Sequence, residues 1–160
     1  AVDPEILLFD EPFSALDPLI RREMQDELIS IQARLNKTLL FITHDFAEAV
    51  KLGTHIAIMK DGEFVQVGAA EDLIRRPTSR YVEEFTRDVP KLRVLCARNI
   101  MQPCAGPPPA GPSLRATQKL EFCLPLVLHA EQPVPVVDAD GLTVGTVSRQ
   151  AVLEVLRIAS

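Results

Sequence analysis

No run of 18 apolar residues occurs in the 160-residue sequence, which leaves no segment able to cross a membrane as a helix. No basic-then-apolar leader is visible either, so any link to a membrane is expected to run through a partner. Cysteines number three, Cys96, Cys104 and Cys123. An odd count without short paired spacing speaks against a zinc site and against a disulfide framework, and favours reduced thiols in the cytosol. Basic charge is not in excess: 17 Lys+Arg against 22 Asp+Glu give a formal net charge of -5 and no reason to expect a nucleic-acid partner. No internal repeat is present. A GxxxxGK[ST] loop is also missing, and with it the backbone nest and lysine that cradle β- and γ-phosphates.

What is present reads as a soluble, globular chain, 47% apolar and 24% charged, long enough for one domain or for a reduced domain plus a small module. Residues 1 to 92 are acidic and residues 93 to 160 nearly balanced, so a boundary is expected near position 92. EILLF (5–9) and TLLFIT (38–43) are apolar runs without alternation, the pattern of parallel strands covered on both faces. Between them Ile20, Met24, Leu28, Ile31 and Leu35 recur at helical spacing, behind Asp17 at an N-cap and Pro18 at the first helical position. Strand, helix and buried strand make a βαβ unit of an α/β fold.

Farther on, Asp45 with Glu48 three residues later predicts a capping box opening a short helix at about 46–52, closed by Gly53. HIAIMK and EFVQVG flank Asp61-Gly62, a hairpin signal. Two short helices are expected after Ala70, the second around Tyr81, Val82 and Phe85. The run QPCAGPPPAGP within 102–113 reads as a loop or linker. Beyond it the pattern predicts a helix over 117–128, strands PVPVVD and LTVGTVS around Asp140-Gly141, and a final helix RQAVLEVLRI.

The stretch ILLFDEPFSALDP places Asp10 and Glu11 together where a buried strand ends. In isolation such a pair is most simply a strand-end turn. At the carboxyl edge of a parallel sheet, however, one carboxylate can hold a hydrated Mg²⁺ and the next can orient a water towards a phosphoryl group. Asp10-Glu11-Pro12, Ser14-Ala15-Leu16-Asp17 and Thr43-His44-Asp45, in that order and each in a fitting context, resemble the ATPase subunit of ATP-binding cassette (ABC) transporters. The resemblance implies a Walker B strand with Asp10 acting on Mg²⁺ and Glu11 as the general base or water-orienting residue. It further implies a D-loop whose Ser14 and Asp17 lie at the interface of two ATPase subunits, and a switch histidine, His44, at the γ-phosphate. Asp17 also caps a helix, Asp45 is read only as a cap, and His55 and His129 are assigned nothing.

DPLIRREMQDEL, FITHDFAEAVKLGTHIAIMKDGEFVQVG and RYVEEFTRDV are more specifically similar to the ATP-binding subunits of glycine betaine/proline importers, over roughly residues 1–92. That similarity implies a partial P-loop NTPase sheet with flanking helices, ATP and Mg²⁺ as cofactors, a second ATPase subunit and a membrane permease as partners, and a substrate-binding protein acting indirectly. The subunit would sit peripherally on the cytoplasmic face of the membrane. With no P-loop, LSGGQ-type signature or glutamine loop, the chain is expected to be the C-terminal part of such a subunit, inactive alone. Asn99-Ile100-Met101 and PVPVVDADGLTVGTVSRQAVLEVL resemble a single CBS motif in 93–160. Gln150 stands where nucleotide-binding versions carry an Asp, which favours a structural α/β appendage. The competing expectations are a non-catalytic binding or regulatory piece whose tail senses ligand or ionic conditions, and a non-transport ABC ATPase.

Overall fold

The computed structural model describes residues 4–35, 37–104, 106, 107 and 109–157. Ala105 and Pro108 of the proline-rich run and Ile158 of the expected last helix lie outside them. The chain divides into two compact units, 1–69 and 70–160. The packing boundary thus falls some twenty residues before the change in charge at position 92.

In the first unit, strand β1 (Ile6–Asp10) leads into helix α1 (Pro18–Leu35) and back to strand β2 (Thr38–Ile42). The strands pair in parallel with Leu8 opposite Leu40, which is the βαβ unit expected from the sequence. Helix α1 starts where the cap is: the Asp17 carboxylate accepts from the N–H groups of Leu19 and Ile20 at 3.0 and 3.2 Å.

Burial differs from expectation. Neither strand is covered on both faces. Ile6, Leu8, Leu40 and Ile42 are all more than half exposed, while Leu7, Phe9, Leu39 and Phe41 on the other face are half-buried. Only that second face has cover, in part from Phe13, whose ring lies 5.6 Å from Phe41. Parallel strands need layers on both sides to hide an apolar run, and a two-stranded pair with one covered face does not have them. The apolar stripe of α1 is likewise not sealed; Ile20, Met24 and Leu35 are exposed, and Gln25 is the buried residue of that helix.

Helix α2 (Phe46–Leu52) follows, with the Asp45 carboxylate accepting from Ala47 and Glu48 N–H. It is not a reciprocal capping box: the Asp45 N–H donates instead to Thr43 Oγ1 at 3.0 Å, leaving Glu48 for other partners. Strands β3 (Ile56–Lys60) and β4 (Glu63–Gly68) form the expected antiparallel hairpin. Asp61 and Gly62 turn it with φ of +52° and +84°, the left-handed pair that a two-residue I′ turn requires.

The second unit holds the nine largest fully buried side chains of the described residues, among them Leu73, Val82, Leu114, Leu120 and Val152. Helices α3 (Ala70–Arg75) and α4 (Arg80–Phe85) are those expected; α5 (Lys91–Val94) and α6 (Ala97–Ile100), each a single turn, are not signalled by any periodicity. After the proline-rich run come β5 (Leu114–Arg115), α7 (Leu120–His129), β6 (Val134–Val137), β7 (Thr143–Val147) and α8 (Arg149–Arg157). The three strands form one sheet in the order β5-β6-β7, the first pair parallel and the second antiparallel.

Two reciprocal backbone bonds of 2.9 Å also join Gln102 to Thr146 of β7. Gly145 permits this approach, since a Cβ there would stand 2.7 Å from the Gln102 carbonyl oxygen.

Candidate functional site

The parallel pair β1–β2 delivers its two carboxyl ends side by side. Beyond β1 the backbone continues the ladder by one bond, Glu11 N–H to the Ile42 carbonyl at 2.9 Å, and then bends. Glu11 takes φ +43°, a left-handed conformation uncommon outside glycine, of the kind that collects at functional sites. The bend is held by Ser14, whose N–H and Oγ both donate to the Glu11 carbonyl, at 3.2 and 3.0 Å. Beyond β2 the chain presents His44.

His44 Nδ1 and Glu11 Oε1 stand 3.2 Å apart. Two residues 33 apart in sequence are therefore brought to hydrogen-bonding distance, with the imidazole 72% and the carboxylate 44% exposed, open to a ligand and to water. A shallow cleft at this point is lined by Glu11, Ser14, Arg21, Thr43, His44 and Glu48, with Asp45.

Of the residues singled out in the sequence, the fold brings together Glu11, Ser14 and His44. Asp10 ends β1 beside them with an exposed carboxylate but is not part of the cleft wall. Asp17 lies farther along the same loop, and its side chain is committed to capping α1. In the second unit Gln150 is exposed and its amide donates to Glu154 Oε1 at 3.4 Å, one turn along α8.

Sequence reasoning missed the buried floor of the cleft. Glu48, 7% exposed, accepts from Gln25 Nε2 at 3.1 Å on Oε1 and from the Thr43 hydroxyl at 2.8 Å on Oε2. Arg21 Nε lies 3.7 Å from Oε1. The signal was available in the polar residues Arg21 and Gln25, four apart on α1 and aimed inward where the apolar stripe should be; the spacing of Glu48 from Asp45 points only to a cap.

The donor set fits a magnesium ion only in part. Mg²⁺ is held by one or two carboxylates together with waters and substrate phosphates, and the exposed Asp10 with the neighbouring Glu11 supplies oxygens of that kind. Among the described residues no group of three or more metal-ligating side chains comes together, and the sequence contains no phosphate-cradling GxxxxGK[ST] loop. Among the described residues the side chains could at most add a carboxylate to a metal already carried by phosphates, and they do not form a closed cage.

No protein-family model matches the chain. Individual proteins do. The trimethylamine N-oxide transport system ATP-binding protein TmoW of Ruegeria pomeroyi is 43% identical over 100% of this chain and 46% of its own length. The chain's relatives are ATP-binding subunits of betaine and trimethylamine N-oxide transport systems. The glycine betaine transport ATP-binding protein OpuAA of Bacillus subtilis is 52% identical over 62% of this chain and 24% of its own. The glycine betaine/proline betaine transport system ATP-binding protein ProV of Escherichia coli is 51% identical over 62% and 25% respectively.

The chain spans under half the length of these transport ATP-binding relatives. A CBS-pair protein of Arabidopsis thaliana aligns over 83% of the chain at 17% identity with a TM-score of 0.28, too low to relate the two folds. No helix among the described residues is long and apolar enough to cross a membrane.

Proposed function

We propose that this chain carries the water-activating and metal-holding part of an ATP-hydrolysing subunit that powers import of an osmoprotectant such as the quaternary amine glycine betaine, or proline. One observation carries the reading: Glu11 and His44, from the ends of two adjacent parallel strands, meet at 3.2 Å in an open cleft. A carboxylate so placed can accept a proton from a water, while the imidazole beside it, which has one N–H when neutral, either holds the carboxylate's orientation through Nδ1 or donates to a γ-phosphate oxygen through Nε2. Asp10 would hold Mg²⁺, which supplies charge neutralisation on the phosphates. Ser14 and Asp17, on the loop after Glu11, would face a second ATPase subunit.

On this reading residues 1–92 are the later part of an ABC ATPase domain and residues 93–160 a CBS-like segment interrupted by the proline-rich run. The subunit works on the cytoplasmic face of the membrane beneath a permease fed by a substrate-binding protein. The packing of the second unit, which holds the nine largest fully buried side chains, supports a further reading in which that part is a self-standing regulatory module.

The test is ATP hydrolysis by a complete subunit containing this chain. Glu11→Gln and His44→Ala should each keep MgATP binding and lose transition-state stabilisation of about 3–4 kcal/mol, as for one well-placed polar group. The 160-residue chain alone should release no phosphate, since it has no cradle to position ATP. Parent-rate hydrolysis by both variants would remove the assigned roles.

A further inference from the structure

The two loops that meet in the cleft are tied together underneath by one carboxylate. Glu48 is nearly sealed from solvent, and both of its oxygens are engaged. The Thr43 hydroxyl gives its only proton to Glu48 Oε2 at 2.8 Å and, with that proton committed, accepts from the Asp45 N–H at 3.0 Å. The residues on either side of His44 are thereby pinned to Glu48, although the imidazole itself is exposed.

Oε1 faces the other way, towards Gln25 at 3.1 Å and Arg21 Nε at 3.7 Å. Arg21 in turn donates from its terminal nitrogen to the Leu16 carbonyl at 3.1 Å, in the loop that starts at Glu11. Arg21 Nε is enclosed and makes no hydrogen bond, so Glu48 is the charge that compensates it.

We infer that Glu48 is a positioning residue for the Glu11–His44 pair: through Thr43 it fixes the backbone that carries the imidazole, and through Arg21 it fixes the loop that carries the carboxylate. The inference rests on the proposed hydrolytic role of that pair. Neither function needs Glu48 to touch a ligand. Small displacements of aligned groups are expensive in catalysis, about a hundredfold in rate for 1 Å, so a rigid tether below the pair has a kinetic value that its burial alone does not explain.

The experiment is a double-mutant cycle in the complete subunit, read as kcat and KM for ATP. Glu48→Gln should lower kcat about ten- to a hundredfold with KM little changed, and adding it to His44→Ala should lower kcat by a clearly smaller factor, because one of the two groups it positions is already gone. Thr43→Val should repeat the part of the loss that runs through His44 and Thr43→Ser should restore it, which keeps the test valid if Glu48→Gln folds poorly. Equal, multiplicative losses in the presence and absence of His44, or wild-type kcat in both Glu48→Gln and Thr43→Val, would overturn the inference. If instead His44→Ala itself retains full kcat, the proposed role of the pair has failed. A second readout then decides on Glu48 alone: in the 160-residue chain the side-chain ¹⁵N signals of His44 should move in Glu48→Gln towards those of Glu11→Gln, and unchanged signals would sink the tether.

Discussion

Among single residues, Cys123 is the one whose chemistry is most altered by its place. Its thiol is fully buried on α7 and donates to the Lys119 carbonyl at 3.2 Å. Burial, with a smaller contribution from nearby Cys96, pushes its pKa from 9.0 up to about 11. A raised folded-state pKa means that the native chain holds this proton more tightly than the unfolded one. The resulting stability is complete below pH 9 and is lost as pH rises through about 11, on the order of 3 kcal/mol in all. Lys91, whose ammonium is disfavoured by burial, acts in the opposite sense, since raising the pH through its lowered pKa relieves a cost. The difference between wild type and Cys123→Ala in denaturant midpoint should therefore shrink between pH 8.5 and 11; a difference constant over that range would show that the thiol is not buried in solution. Cys104, only partly covered, should be alkylated well before Cys96 and Cys123.

At the scale of elements, β1 and β2 show where pattern reading succeeds and where it stops. Their existence, parallel pairing and crossover helix were legible, because strand propensity, the Asp17-Pro18 start and the right length of connection are local signals. So were the Asp45 cap and the Asp61-Gly62 turn. Burial was not legible, since an apolar run records what a strand is built to touch and not what is beside it. In this chain Leu8 and Leu40 lie opposite each other on an uncovered face. Leu8→Thr and Leu40→Thr should each cost under about 0.5 kcal/mol in denaturant unfolding of the 160-residue chain. They should also reduce its self-association in sedimentation, because an apolar strand pair open to water is a natural docking edge for another copy. Losses of 2 kcal/mol or more would mean that this face is packed in solution. The single-turn helices α5 and α6 and the two-residue β5 left no trace in the sequence because each is too short to show a period; they exist through tertiary bonds such as Ala97 N–H to Gln118 and Arg98 N–H to Ala116.

For the whole molecule, the candidate site was legible at Glu11, Ser14 and His44 because their motif order and strand ends are properties of the chain. The Glu48 cluster beneath them was not, because it is assembled from residues 21, 25, 43 and 48 on three different segments. Composition located a boundary near 92, whereas packing divides the chain at 69/70. The two criteria answer different questions: charge balance follows what a surface meets, and packing follows which side chains share a core. The second unit could be expected from its strand-strand-helix ending, while its larger core, drawing in Leu73 and Val82 from well upstream, could not.

The clasp between Gln102 and Thr146 has a consequence for how the chain tolerates cutting and lengthening. The proline-rich segment begins at Gln102, whose N–H and carbonyl both bond to Thr146 of β7, and ends before Leu114 in β5, which pairs with β6 of the same sheet. Both ends are anchored independently of what lies between. Doubling such a segment would add only about 0.6 kcal/mol of closure entropy, so inserted tags should leave the unfolding midpoint nearly unchanged. A protease that nicks between 104 and 112 should produce two pieces on a denaturing gel that still migrate as one species in gel filtration. Separation of the pieces without denaturant would show that the covalent link, and not the clasp, holds the sheet together.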